Sequence, residues 1–381
     1  MVHGPEHLGL ERLLQRDPPR NHGRRCGPGL ADGQRLDGLL PGCSVNGRAL
    51  FTLPVVAAAF GALALGAGGC GVDEAPPSHS PEPLEVRLPR GFPPLIVPDD
   101  NATTYEGVAL GRQLYYDSRL SPDGSRACAD CHLQDHAFSN PDVEGVLAHI
   151  NLAWSRNFLW DGRFEGTLEE AMIMEVEEFF GTDVERLKEP DLEEMFFAAF
   201  GSTEITTERA AYALAQFQRT LVSRDSPFDS YTAGDESALS EAEFRGMELF
   251  YSERGECFHC HATALFTDNL FHNIGLDAEV TGTGYGAVSG QARNDGAFKT
   301  PTLRNIAMTA PYMHDDRFAT LEEVVDFYSE GIVYSDTIDS LIPNVHGGGL
   351  QLTTQERSDL VAFLGALTDP EFLTNTDLAR P

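Results

Sequence analysis

A chain of 381 residues, 41% of them hydrophobic, can bury the cores of about two or three domains and is too apolar to be disordered. Its formal charge of −32 excludes nucleic acid and anionic membrane surfaces as partners, because both would repel so negative a field. Of the seven cysteines, four fall into two Cys-x-x-Cys-His units, Cys70 closes an apolar run, and Cys26 and Cys43 precede that run, which leaves no pair for a structural disulfide in the folded part.

Residues 1–44 are rich in Arg, Gly and Pro without apolar periodicity and read as disordered or as a start placed too early. Residues 45–70 hold an uncharged run from Ala49 to Gly69, with Arg48 before it and Cys70 after it. This is the shape of an export signal, and its small residues before a cysteine are similar to a bacterial lipoprotein signal. The expectation is a periplasmic protein anchored to the outer membrane by a lipid on Cys70; a plain cleaved signal and a retained helix anchor are the alternatives. Residues 71–94, with repeated prolines and charges, are expected to be a linker.

Cys128-Ala-Asp-Cys131-His132 and Cys257-Phe-His-Cys260-His261 carry the chemistry. Two thiols at this spacing meet the two vinyl groups of one porphyrin, and the next residue delivers an imidazole to the iron, so the sequence predicts two covalently bound haem c groups. A zinc site or a pair of redox dithiols would not need a histidine after both pairs. His259, inside the second motif, is expected to be a surface or packing residue.

Ahead of each motif stands a similar segment, Leu110-Gly-Arg-Gln-Leu-Tyr-Tyr-Asp-Ser-Arg119 and Phe244-Arg-Gly-Met-Glu-Leu-Phe-Tyr-Ser-Glu-Arg254, with apolar positions at helical spacing. The repeat predicts a mainly α fold of two cytochrome c-like domains, residues 95–235 and 236–381, each a helical cup around one haem. Between the motifs Leu192 to Arg224 reads as helical, with Leu214, Phe217 and Leu221 on one face. Asp277 to Gly296 reads as a long loop near the second haem, and Gln355 to Leu367 as a helix capped by Thr353.

From Leu95 to Leu367 the chain resembles the bacterial dihaem cytochrome c peroxidase and MauG superfamily, through ALGRQLYYDSRLS, CADCH, FLWDGRFEGTLEEA, SPFDSYTAGD, CFHCH and FKTPTLRNIAMTAPYMHDDRFATLEEVVDFY. SERGECFHCH and FTDNLFHNIGL look closest to the methanobactin-associated MbnH branch. The resemblance implies that His132 holds a peroxide-binding haem and His261 an electron-relay haem. It implies Tyr328 as the relay's second ligand, where ordinary dihaem peroxidases have a methionine and MauG-like proteins a tyrosine. A phenolate is a hard anionic donor, so it lowers the relay potential and favours holding both oxidising equivalents on a pair of high-valent haems. Packing alone is the competing role for Tyr328.

By the same resemblance Trp160 lies between the haems and carries holes, though it would also fill the interface. The peroxide pocket needs a carboxyl that moves a proton as the O–O bond breaks. In Met174-Glu-Val-Glu-Glu-Phe-Phe-Gly181 that residue is expected to be Glu178, with Glu177 next and a solvated acidic face as the bland alternative. The loop from Asp135 to Ala153 is shorter than in the family, so the peroxide face is expected to be open unless His136 or His149 approaches the iron. A calcium ion between the domains would use backbone oxygens of Thr309 and Pro311; Gly145 stands where the family has a liganding asparagine.

Three functions are weighed: a MauG- or MbnH-like enzyme that uses hydrogen peroxide to oxidise a protein partner; a cytochrome c peroxidase that detoxifies peroxide with electrons from a small donor protein; and a non-catalytic electron-transfer cytochrome. Tyr328 favours the first.

Overall fold

The computed structural model describes residues 79–89 and 91–381. The expected start, the signal run, Cys70 and the beginning of the linker lie outside the described residues. Among the described residues no helix is long and apolar enough to cross a membrane.

The fold is mainly helical. In chain order the helices are α1 (Tyr105–Tyr115), α2 (Cys128–Cys131), α3 (Leu168–Met174), α4 (Pro190–Phe200), α5 (Thr207–Thr220), α6 (Pro227–Thr232), α7 (Glu241–Phe250), α8 (Phe258–His261), α9 (Tyr285–Ser289), α10 (Leu321–Asp326), α11 (Thr354–Gly365) and α12 (Pro370–Thr374). The only named sheet among the described residues is antiparallel, β1 (Phe271–His272) against β2 (Phe298–Lys299).

The repeat in the sequence appears as a repeat in packing. Helix α1 crosses α5, and α7 crosses α11. Both crossings turn on a glycine of the repeated segment. A Cβ on Gly111 would fall 1.9 Å from the Ala213 carbonyl oxygen and 2.9 Å from Phe217 Cβ; one on Gly246 would fall 1.9 Å from the Asp359 carbonyl oxygen and 2.8 Å from Phe363 Cβ. Each helix therefore rests directly on its partner's backbone. Beside each crossing an aromatic pair closes the core, Tyr115 on Phe217 and Phe250 on Phe363, each with ring centroids 5.2 Å apart.

Two apolar clusters follow from these crossings. One gathers residues from Leu110 to Leu221, and the other residues from Phe228 to Leu367. The two clusters part between Leu221 and Phe228, except at the end of the chain. There Phe372 and Leu378 leave the second half and pack on the first cluster, while Arg112 donates to the Thr376 and Ala379 carbonyls.

Two other expectations are corrected. The stretch from Leu192 to Arg224 is two helices, because Gly201 takes φ 71° at the C-cap of α4 and Thr206 caps α5 afresh. The linker is not a free tether over its second half. Leu84 N–H donates to the Thr103 carbonyl and Tyr105 N–H to the Glu82 carbonyl across a bridge between Pro83 and Thr104, the Pro93 carbonyl accepts from Trp154 Nε1, and Phe92 lies against Trp154 and under the Arg304 guanidinium. Proline content describes stiffness and the missing donor, not whether a neighbour is present to pin the segment.

Gly246→Ala should lower stability by roughly 1–3 kcal/mol or more, since a methyl placed against the Asp359 carbonyl forces the α7–α11 crossing apart. Gly365→Ala, which meets nothing within 4 Å, should be neutral or stabilising. Chemical denaturation midpoints of the two variants decide this.

Candidate active site

Each Cys-x-x-Cys-His motif forms one short helical turn, α2 and α8, and the chain then folds back over its histidine. The His132 Nδ1–H donates to the Phe138 carbonyl at 2.9 Å, and the His261 Nδ1–H donates to the Phe266 carbonyl at 2.7 Å. A carbonyl can only accept, so in both rings the proton sits on Nδ1 and Nε2 keeps its lone pair. Both carbonyls belong to residues with left-handed backbone, Phe138 at φ 58° and Phe266 at φ 52°, a strained conformation that aims the oxygen at the ring. Burial pushes both imidazoles down to about 4, against the pull of those hydrogen bonds, so both are neutral and ready to bind metal.

None of the four motif cysteines is in a disulfide. Burial pushes Cys257 up to about 12 and Cys128 higher still, so neither is a reactive thiolate. Cys257, Cys260 and His261 open onto a largely apolar cavity of about 340 Å³, which Tyr328 and Trp160 also line. Two thiols, a bare imidazole nitrogen and a phenol around one apolar space fit a covalently held haem, which Cys257, Cys260 and His261 would hold. The first motif presents the same thiols and imidazole.

The side chain opposite each motif comes from a second repeated element. Thr167-Leu-Glu-Glu170 and Thr320-Leu-Glu-Glu323 are both capping boxes, in which the threonine hydroxyl accepts from the third residue's N–H and the glutamate reaches back to the cap. Helices α3 and α10 start there and widen into π-helical turns, Glu175–Phe180 and Phe327–Gly331. Counting from each capping threonine, Glu175 and Tyr328 hold the same position. Tyr328 lines the relay cavity, where burial and then the Cys260 and Cys257 sulfurs push its phenol well above the usual value of 10. Glu175 is half-buried near the other motif. Burial lifts its carboxyl to about 7, and its charge in turn raises the Cys128 and Cys131 thiols.

The two glutamates expected in the peroxide pocket lie at the surface. Glu178 and Glu177 are both exposed, and Glu177 accepts a hydrogen bond from Thr207 Oγ1 at the surface. Counting from the tryptophan could not choose among Glu175, Glu177 and Glu178, whereas aligning the two Thr-Leu-Glu-Glu boxes singles out Glu175. The His149 ring stacks against the His132 ring. His136 lies in the tight turn Gln134–His136 that follows the proximal histidine.

Trp160 sits where the two halves meet. Its Nε1–H donates to the Gly145 carbonyl at 3.1 Å, its own carbonyl accepts from Lys299, and it borders the relay cavity although it belongs to the first half of the chain. The turn that follows needs Gly162, at φ 71°, because a Cβ there would fall 2.4 Å from the Phe271 ring. Thr309 and Pro311 border the same cavity. At the position of the expected calcium-binding asparagine, Gly145 is engaged instead with Trp160 and with Asp316. His259 pairs with Glu256, both half-buried beside the cavity.

Two features carried no sequence signal that was used. His272 is held by Asp339 at Nδ1 (2.6 Å) and Asp268 at Nε2 (2.8 Å). Burial opposes its charge, but Asp268, Cys260 and Asp339 outweigh it and push the imidazole up to about 11. The second is a clamp behind Tyr328. Leu350 N–H donates to the Tyr328 carbonyl at 3.0 Å and Gln351 N–H to that of Ser329 at 2.9 Å, meeting acceptors that the π turn leaves free. The approach needs Gly349, at φ 131°, whose Cβ would fall 2.4 Å from the Tyr328 oxygen.

Two outcomes follow. Glu175 is neutral below about pH 7 and ionised above it, so a reaction that uses its carboxylate as base should fall roughly tenfold per pH unit below 7. Glu175→Gln should flatten that profile and slow peroxide consumption by roughly 100-fold or more. Because the folded value is raised, ionisation costs the fold and wild-type stability declines as pH rises from the usual carboxyl range through about 7; the glutamine variant should lack that decline in pH-dependent unfolding. Separately, Gly349→Ala should displace the Tyr328 backbone and convert part of the low-spin haem signal to high spin, read by electron paramagnetic resonance.

The comparisons agree with this geometry. Residues 105–237 match the family model described as di-haem cytochrome c peroxidase. The methylamine utilization protein MauG of Methylophilus methylotrophus is 35% identical over 289 residues, covering 71% of this chain and 84% of that one. MauG of Methylorubrum extorquens is 39% identical over 297 residues, covering 73% and 82%. Among solved structures, a MauG-like protein associated with microbial copper homeostasis superposes with a TM-score of 0.72 at 33% identity, covering 78% of this chain and 99% of that one. With two haem-attachment motifs built alike and relatives matched over most of their length, the chain belongs to the di-haem cytochrome c peroxidase and MauG family, whose members carry two haem c groups and act on peroxide.

Proposed function

We propose that this member of the family is MauG-like and uses hydrogen peroxide to oxidise a residue of a protein partner. The observation that carries the proposal is Tyr328, a phenol in the relay cavity beside Cys257 and Cys260. When bound, the haem pair supplies the two-electron reduction of peroxide and holds the oxidising equivalents until the partner is met. The protein's own groups define the rest. His132 and His261 each present a bare Nε2 to an iron, with Nδ1–H anchored on a carbonyl. Glu175 takes a proton from the entering peroxide and returns it to the departing oxygen; a carboxyl balanced near pH 7 suits both directions. The phenolate of Tyr328 is the hard donor that disfavours reduction of the relay iron.

Trp160, between the two halves, is the proposed stepping stone for holes. The likeness to a MauG-like protein of copper homeostasis supports an MbnH-like role in particular. Under the same proposal the leader and Cys70 place the enzyme in the periplasm as an outer-membrane lipoprotein. The excess of acidic over basic residues favours a partner with a basic or neutral face.

The test is a comparison of fully oxidised wild type, Tyr328→Phe and Tyr328→Met. The wild type should react with stoichiometric peroxide without prior reduction and show a near-infrared band of electronically coupled haems. The phenylalanine variant should lose its low-spin signal, and the methionine variant should react only after one haem is reduced. A wild type that needs prior reduction would make this a peroxide-detoxifying enzyme fed by a small donor protein. Two six-coordinate haems with no peroxide reaction would make it an electron carrier.

A further inference from the structure

One enclosed imidazole has no part in the function proposed above. The His149 ring stacks on the His132 ring with centroids 3.5 Å apart and planes at 18°. Its backbone N–H donates at 3.1 Å to the Phe138 carbonyl, the same oxygen that accepts His132 Nδ1–H. Its Nδ1 lies 3.0 Å from the Tyr115 hydroxyl and 2.9 Å from the Gln218 side-chain amide. Tyr115 and Gln218 are buried and belong to α1 and α5, the helices that rest on each other at Gly111. His149 is thus fastened to the α1–α5 crossing of the first half and pressed flat on the proposed ligand of the peroxide-side haem.

An imidazole held by iron at Nε2 and by one hydrogen bond at Nδ1 can still swing about the line joining its two contacts. Swinging turns the ring plane against the porphyrin nitrogens and changes the ligand field. The peroxide side must keep its far face vacant, so only the proximal side can fix the orientation. Among the described residues no aromatic ring stacks on His261, whereas one stacks on His132.

We propose that His149 is a positioning residue for the peroxide-side haem, a flat wall that fixes the plane of its proximal imidazole. The inference rests on His132 holding that haem and is independent of the partner protein and of the Tyr328 assignment. His149→Phe keeps a flat ring and loses the Nδ1 contacts. His149→Gln keeps a polar group and loses the ring. Tyr115→Phe removes one Nδ1 contact and leaves the stack intact.

The measurements are made on holoprotein whose mass shows two haems per chain. They are the high-spin ferric signal in electron paramagnetic resonance and the iron–imidazole stretch of the reduced protein in resonance Raman. Wild type, His149→Phe and Tyr115→Phe should share one narrow high-spin signal and one stretch, whatever their melting temperatures. His149→Gln should spread the signal into more than one species and shift the stretch. Failure of the glutamine variant alone to retain its first haem would also support the wall, with His149→Leu expected to behave the same way. A glutamine variant indistinguishable from wild type would overturn the proposal, and so would phenylalanine at 149 perturbing the signal as much as glutamine. Throughout, the low-spin relay signal reports separately on Tyr328.

Discussion

An imidazole can bind iron through Nε2 only while its proton stays on Nδ1, and in this protein two carbonyls hold it there. Everything else in the site is arranged around those two hydrogen bonds, from His132 to Phe138 and from His261 to Phe266. The carbonyls face the rings because Phe138 and Phe266 accept a left-handed backbone, and the surrounding packing sustains that strain. Phe266 is fully buried against Phe228 and Phe250, and Phe138 against Tyr115 and Phe372. The second of these contacts explains why the end of the chain returns to the first half. Phe372 backs the residue whose carbonyl orients the peroxide-side ligand.

The two halves share a scaffold and differ at one decisive position. Glycine-mediated crossings, Cys-x-x-Cys-His turns and Thr-Leu-Glu-Glu boxes recur, and each box delivers one side chain toward its haem site from a π turn. A carboxyl in the first half and a phenol in the second give the same framework two chemistries. Under the proposed function the first would move protons and the second would serve as a ligand. The supports differ accordingly. The relay turn is clamped from behind by residues 349–351, whereas the turn bearing Glu175 ends at Gly181, around which a Cβ would meet nothing within 4 Å. A metal ligand needs a fixed distance, while a proton carrier tolerates small movement.

Charge is handled locally in spite of the large negative total. Arg304 is buried on a bidentate pair with Asp229 at 2.8 Å, and it also lies under Phe92 and near Phe266. Arg219 is buried against Glu169 beside Asn101 and Thr103. Each arginine ties the extended segment before α1 to a helix-rich half, and breaking either pair would strand a buried charge. This is why the second part of the proline-rich stretch is structure and not tether.

Local chemistry made much of this protein legible in its sequence. Haem attachment needs thiols and an imidazole within five consecutive residues, capping boxes need four, and a segment repeated ahead of both motifs announces a repeated fold. Tyr328 was singled out by the family resemblance, through its place after Leu321-Glu-Glu. Glu175 was not, because three acidic residues crowd one turn and only the widening of the helix shows which one turns inward. His149, the His272 clamp and the return of Phe372 are contacts between segments far apart in the chain. Their partners are chosen by packing, which no spacing rule encodes, so the sequence determined the cofactor chemistry and the tertiary structure decided which side chains surround it.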